Sequence, residues 1–278
     1  MARKPKSRTR RRRRWRRYLP SAPIRRRWVR AFRRAPGYLQ ALLAVCALLA
    51  LWLSMNWVYQ VAKKPTELLF PVSGTLNKTP AETWDRYESL FRANSTAALS
   101  PEFLAALAQI EASGNPVART YWRWSFSTHP FEVYRPASSA VGMYQLTDGT
   151  FDQARDLCIH DHRVVTDGPW DAWRSCWFNW LYTRVLPGDA VEMTAAYLDY
   201  HVTRLLEQRK VTNATIAQKQ NTAALMHLCG VGVADEYVAR GFRVRAGQQC
   251  GDHGAAAYVA KMNAMKAVFA RLAGQGAG

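Results

Sequence analysis

Glu111 is the residue of this chain best placed for acid chemistry. It closes the run Ser100-Pro-Glu-Phe-Leu-Ala-Ala-Leu-Ala-Gln-Ile-Glu111 and is followed at once by Ala-Ser-Gly-Asn-Pro116. Ser100 suits a helix N-cap and Pro101 the first helical position, while Gly114 and Pro116 stop the helix. Helical spacing puts Phe103, Leu104, Leu107 and Ile110 on one stripe, with Glu111 on its edge one turn beyond Leu107. A carboxyl group there adjoins apolar surface and the negative end of the helix dipole, and both disfavour its ionised form. A carboxylic acid that keeps its proton near neutral pH is what general-acid catalysis needs. Taken alone, a glutamate at a helix end is ordinarily a half-exposed surface residue. The residues that follow it change that balance.

Two further segments carry residue types that could act with it. One is Ser139-Ala-Val-Gly-Met-Tyr-Gln-Leu-Thr-Asp-Gly-Thr150, the other Ala224-Leu-Met-His-Leu-Cys-Gly-Val-Gly232. With Glu111-Ala-Ser-Gly-Asn-Pro-Val-Ala118 they resemble, in order, the three motifs of lytic transglycosylases of the soluble-lytic-transglycosylase domain type, a group related to goose-type lysozyme. Those motifs read Glu-Ser-x-x-Asn-Pro-x-Ala, Gly-Leu-Met-Gln-Leu-x-Pro-x-Thr and Ala-Tyr-Asn-Ala-Gly-x-Gly. The similarity covers about residues 80–272. Glu111, Asn115, Pro116 and Ala118 match the first motif, Gly142, Gln145, Leu146 and Thr150 the second, and Gly230 and Gly232 the third. This chain departs at Ala112, at Met143-Tyr144, at Asp148, and at His227-Leu228, where the family has Tyr-Asn.

The resemblance implies a lysozyme-like helical fold and cleavage of the β-1,4 bond between N-acetylmuramic acid and N-acetylglucosamine in peptidoglycan, with Glu111 as catalytic acid. It implies glycan contacts by Ser113, Asn115, Gly142, Met143, Tyr144 and Gln145. His227 stands where the family tyrosine lies near the acid, so it either donates to Glu111 or is a core histidine bonded to backbone. In the family one carboxylate suffices, because the attacking hydroxyl belongs to the substrate. No second carboxylate is obviously paired with Glu111, though Asp148 and Asp161 stay open. No cofactor and no metal are called for. Two other readings stand beside this one: a muramidase that uses water, and a catalytically silent glycan-binding scaffold in an envelope or secretion complex.

Cysteine spacing bears on compartment. Cys158, Cys176, Cys229 and Cys250 form an even set downstream of Cys46, and short loops favour the pairs Cys158–Cys176 and Cys229–Cys250. The rival is a metal site at Cys158-Ile-His160-Asp-His162, which lacks a second cluster at a usual zinc spacing.

Composition divides the chain. Residues 1–34 hold 17 of the 39 Lys and Arg and no acid, and the other 22 are nearly balanced by 20 Asp and Glu. Residues 35–62 are uncharged and largely apolar, long enough for a single transmembrane helix, with Trp52, Trp57 and Tyr59 toward its far end. The positive-inside rule puts the Arg-rich tail in the cytoplasm and the rest in the periplasm, an inner-membrane, single-pass arrangement. A polybasic segment beside a span reads as an orientation signal touching anionic lipid, and nucleic acid is the lesser alternative. Residues 63–78, with two prolines and no helical stripe, read as a stalk.

Residues 79–278 then read as an all-α domain. Helices are expected from the Thr79-Pro-Ala-Glu82 capping box, over 100–111, from Thr147 or Asp148 through Leu157, over 171–186, 189–209, 221–228 and 254–272. Strand-like alternation is confined to the loop around Tyr121–Tyr134. That loop lies in an insertion of about 20 residues, 119–138, holding Tyr121, Trp122, Trp124, Phe126, Phe131 and Tyr134. It reads either as a glycan-contacting flap or as a hairpin whose aromatics close over the core.

Overall fold

A computed structural model describes residues 22–166, 176 and 179–275. The described chain is mostly helical with a few short strands. It divides after Tyr59 into two compact units.

The first unit holds helix α1 (Ala22–Arg34) and most of α2 (Gly37–Lys63). Helix α1 carries only basic charge, with Val29 and Phe32 exposed. Helix α2 is long and apolar enough to cross a membrane. Its 27 residues span about 40 Å at 1.5 Å per residue, against roughly 30 Å of hydrocarbon. Leu42, Leu48, Leu49 and Leu51 are exposed along it, a surface that water would not tolerate and lipid would.

The second unit begins at Gln60. The stretch expected to be a stalk is built into it. Residues 65–76 form three successive helical turns, Pro65–Leu69, Phe70–Ser73 and Gly74–Leu76. Glu67 in the first turn is only 1% exposed; it pairs with Arg119 at 3.0 Å and Lys64 at 3.5 Å and accepts from the Trp122 indole at 2.9 Å. A charge is buried only with such partners, so this cluster fixes the segment to the domain.

Helix α3 (Pro80–Ala93) starts at the Thr79 capping box, with Thr79 accepting from the Glu82 N–H and Glu82 accepting from the Thr79 N–H. Helix α4 (Pro101–Ala112) starts at Ser100, whose hydroxyl accepts from the Phe103 N–H, and buries Phe103 through Ala108. The other helices are α5 (Asp148–Ala154), α6 (Pro187–Gln208), α7 (Ile216–Cys229), α8 (Val231–Ala239) and α9 (Ala255–Gln275). Their apolar faces meet in one core, with Phe91, Leu99, Phe103, Leu107, Met193, Leu198, Leu225 and Phe269 at its centre. Helix α9 packs against α3, α4 and α7, and so backs the end of α4 that carries Glu111.

The described domain also holds three short hairpins, of which only the first, in the aromatic-rich insertion, was expected. Strands β1 (Trp122–Trp124) and β2 (Tyr134–Pro136) pair antiparallel where alternation was expected. Strands β3 (Leu157–His160) and β4 (Arg163–Thr166) pair where the sequence suggested only a helix end and a loop. Gln249–Cys250 and His253–Gly254 make a third, two-residue ladder, β5 and β6. Helix α5 accordingly stops at Ala154 rather than Leu157. Of the helix expected over 171–186, residues 171–175 and 177–178 lie outside the described residues; residues 179–186 are a 3₁₀ turn, Asn179–Leu181, followed by irregular chain. Helix α8 was not expected.

Both disulfides form as the loop lengths favoured. Cys158 bonds Cys176 and Cys229 bonds Cys250, with Cα–Cα distances of 5.5 and 5.2 Å. The first ties β3 to the chain 18 residues on; the second ties the end of α7 to β5. Cys46 is free and exposed. Among the described residues no group of three or more His, Cys, Asp or Glu could hold a metal ion, and His162 instead meets the Ser95 carbonyl at 2.8 Å.

Candidate active site

Glu111 sits in the last turn of α4, its side chain 18% exposed. The helix ends because Ser113 takes a left-handed conformation (φ 50°), and its N–H returns to the carbonyls of Ala108 and Gln109. Two side chains reach the carboxyl group, and both meet the same oxygen. The Tyr258 hydroxyl donates a hydrogen bond to Oε1, and His227 Nε2 lies 3.9 Å from it. Glu111 Oε2 makes no hydrogen bond among the described residues, so the carboxyl has one braced oxygen and one open one.

Helical spacing alone puts Tyr258 on the apolar stripe of the last helix, with Met262, Met265, Phe269 and Leu272. It is 7% exposed, and a phenol in so dry a place needs a partner for its hydroxyl. Its periodicity matched a core position, and a tyrosine rather than a phenylalanine there was the one available signal. Burial first, then the charge of Glu111 and the bond to it, push the phenol's ionisation far above the ordinary tyrosine range. Tyr258 is therefore a proton-bearing donor at any working pH.

The three sequence segments converge. The third brings His227, on α7, to Glu111. The second is a tight turn laid against the end of the first. Val141 and Leu146 exchange both backbone hydrogen bonds at 3.1 Å, and the Gly142 N–H donates to the Ala118 carbonyl at 2.9 Å. Gly142 has φ +82°, and a Cβ there would lie 2.0 Å from the Arg184 carbonyl oxygen, so no other residue fits without displacing backbone. Gln145 is also left-handed (φ 48°); its amide donates to the carbonyls of Gly142 at 2.9 Å and Ala118 at 3.3 Å.

This geometry sorts the residues expected to touch glycan. Ser113, Gln145 and His227 are partly exposed, as is Glu111. Asn115 is not available to a ligand: it is 2% exposed, its amide donates to Ser73 O and to Asn77 Oδ1 (2.8 Å), and its oxygen accepts from the Val117 N–H at 3.0 Å. It pins the turn after Glu111 to the segment preceding α3. Met143 and Tyr144, at 0% and 1% exposure, are core residues, and the Tyr144 hydroxyl donates to the Leu104 carbonyl at 3.1 Å beneath α4. Gly142 is buried too and acts through its backbone. Asp148 pairs with Arg184 at 2.8 Å, and Asp161 is an exposed residue of the β3–β4 turn. Among the described residues, the side chains that reach the Glu111 carboxyl are thus a phenol and an imidazole rather than a second carboxylate.

A scan against protein-family models and searches of curated proteins and solved structures found no match to this chain.

Proposed function

We propose that the domain after Gln60 is a membrane-anchored peptidoglycan lytic transglycosylase with a lysozyme-like helical fold, working outside the cytoplasm with Glu111 as its only proton-transferring carboxyl. The observation that carries this reading is the asymmetric carboxyl itself: a glutamate at the motif position, partly exposed at a helix end, braced at Oε1 and open at Oε2. A carboxyl bonded at one oxygen presents its acidic proton from the other, in one direction. Glu111 Oε2–H protonates the glycosidic oxygen as the C1–O bond breaks and an oxocarbenium-like centre develops. N-acetylglucosamine leaves with a free hydroxyl. The same carboxylate then takes the proton of the muramic C6 hydroxyl, whose oxygen closes on C1 to a 1,6-anhydro ring. No water is consumed, and Glu111 ends protonated as it began. Tyr258 donates to Oε1 through the ionised stage of this cycle, which a phenol that never ionises can do at no proton cost.

A glycan-binding scaffold is the second reading. His227 and Leu228 favour it, because they stand where the catalytic family has tyrosine and asparagine.

Digestion of purified sacculi with the full chain in detergent, followed by mass spectrometry, separates the readings. Muropeptides lighter by one water than lysozyme products support the transglycosylase. Hydrated products mark a muramidase, and intact sacculi that retain bound protein mark the scaffold.

A further inference from the structure

Apart from the Glu111 site, the domain holds an open cleft of about 450 Å³, lined by Gln153, Asp156, Leu157, Thr166, Tyr200 and His201. Its volume falls within the roughly 300–1,000 Å³ of small-molecule sites. None of these residues lies on α4, α7 or α9, the helices that build the candidate active site. Asp199, beside Tyr200 on α6, accepts from the Thr96 hydroxyl at 2.8 Å, which sets this part of α6 beside the chain entering α4. Glu111 is at the other end of that helix, about 16 Å on at 1.5 Å per residue.

Both walls of the cleft are fixed. Leu157 and Thr166 are partners in the β3–β4 ladder, and Cys158, next to Leu157, is bonded to Cys176. On the other side the His201 ring packs against Tyr197 and edge-on to Tyr200, with centroids 4.4 and 5.2 Å apart. Burial, and then the charge of Arg204, hold the His201 imidazole below the ordinary histidine range. Near neutral pH it is therefore uncharged, with one N–H to donate and one nitrogen to accept. The Tyr200 hydroxyl accepts from Arg204 at 3.3 Å and keeps its own hydrogen to donate. Gln153, Asp156 and Thr166 make no side-chain hydrogen bond or ion pair among the described residues, and they add an amide, a carboxylate and a hydroxyl. Asp156 is thus the one charged group in the lining.

We propose that this cleft is a saccharide-binding site, separate from the cleavage site, that takes uncharged sugar rings through their hydroxyl groups. A sugar hydroxyl both donates and accepts, as the lining groups together do. The Tyr200 and His201 rings add apolar surface for the C–H face of a sugar. The carboxylate of Asp156 opposes an anion. An amine would rest on that carboxylate alone, and Asp156 is exposed, where an ion pair contributes little. Walls held by a disulfide and a ring stack lose little freedom when a ligand enters, which favours binding by many weak contacts. The inference does not depend on the cleavage reading.

The test is an NMR titration of the full chain in detergent micelles, with isotope-labelled histidine rings, by chitotetraose. One histidine reports on each site: His201 in the cleft and His227 at Glu111. Their signals are assigned by their loss in His201→Gln and His227→Gln. The expected result is a His201 signal that moves and saturates in the millimolar range. In the double variant Gln153→Ala, Asp156→Ala, the affinity read at His201 falls about tenfold or more, as loss of two hydrogen bonds implies, with any response of His227 intact. Both replaced side chains are exposed, so their removal disturbs no packing, and the melt should not move. A His201 signal that stays still, or that moves equally in the double variant, overturns the site. So does one moved by lysine amide but not by the tetrasaccharide, which marks a cation site. Sacculus digestion reports separately. Binding at His201 without cleavage keeps this site and refutes the proposed transglycosylase, and cleavage with His201 silent does the reverse.

Discussion

Three glycines allow the cost of a close backbone approach to be separated from the cost of an unusual dihedral. Gly149 lies in α5, with an ordinary φ and open space where a methyl group would go. Replacement by alanine there should stabilise by about 0.5–1 kcal/mol through lost unfolded-state entropy. Gly230, between α7 and α8, has φ +82° and ψ 172°, again with open space. That backbone region is nearly glycine-only, so Gly230→Ala should cost about 1–3 kcal/mol from the dihedral alone. Gly142 shares the φ of +82° but would place its Cβ 2.0 Å from the Arg184 carbonyl oxygen and 3.3 Å from that of Pro116. Neither neighbour is the tip of a flexible side chain, so about 1–3 kcal/mol of overpacking adds to the dihedral cost, for a total of about 2–6 kcal/mol. At roughly 2–4 °C per kcal/mol for a domain of about 200 residues, Gly142→Ala should melt about 4–24 °C below the parent. Gly149→Ala should melt slightly above it. Circular dichroism melts of the three variants at one scan rate make the comparison. Equal losses at Gly142 and Gly230 would refute the claim that the second-motif turn is pressed against the Arg184 backbone.

Other outcomes follow from single contacts. Glu111→Gln should retain the fold, since an amide oxygen still accepts from Tyr258, while sacculus cleavage falls by at least about 10²–10⁴; residual cleavage near the parent rate would remove Glu111 from the mechanism. Tyr258→Phe keeps the ring and removes one hydrogen bond, about 0.5–1.5 kcal/mol, which should appear in the melt and as slower cleavage with little change in sacculus binding. Glu67→Gln breaks a buried cluster and leaves Lys64 and Arg119 short of a counter-charge, at a cost of about 3–5 kcal/mol; a melt unchanged by this substitution would mean that residues 65–76 are a free linker after all. Asp235 is held below the ordinary aspartate range first by its hydrogen bond from Arg209, against a small opposing effect of burial. A depressed folded value means a stabilising contribution present above the unfolded value of 3.8 and lost as pH falls through the folded one, so Asp235→Asn should flatten the acid limb of a stability–pH curve.

What the sequence made legible was whatever local chemistry decides. The Thr79 box, the Ser100 cap with Pro101, and the stripe of α4 are short-range signals, and all appear in the structure. The disulfide pairs were legible because loop closure favours near neighbours. The β3–β4 hairpin was missed because Leu157-Cys-Ile-His160 is only four residues long and shows no apolar–polar alternation, so it read as the end of the preceding helix. Helix α8 was missed because Gly230 and Gly232 read as a loop, and only the first of them breaks a helix here. At the candidate site, Glu111 was singled out by its helix-end position and Gln145 and His227 by the motif resemblance, but the fates of Asn115, Met143 and Tyr144 were not readable from either. Motif membership does not distinguish a residue that faces a ligand from one that holds the loop from behind, and burial decides between them. Tyr258 lies 147 residues from its partner, beyond any local pattern.

The segment between Lys64 and Pro80 also fixes where the domain begins. Residues 65–76 are helical turns, and Glu67, Ser73 and Asn77 are each fastened to the body of the domain. A fragment cut at Thr79 would take the Glu67 carboxylate away from Arg119 and the Trp122 indole, and both acceptors away from the buried Asn115 amide. The shortest fragment that folds should therefore start before Pro65, fifteen residues ahead of the first long helix of the domain.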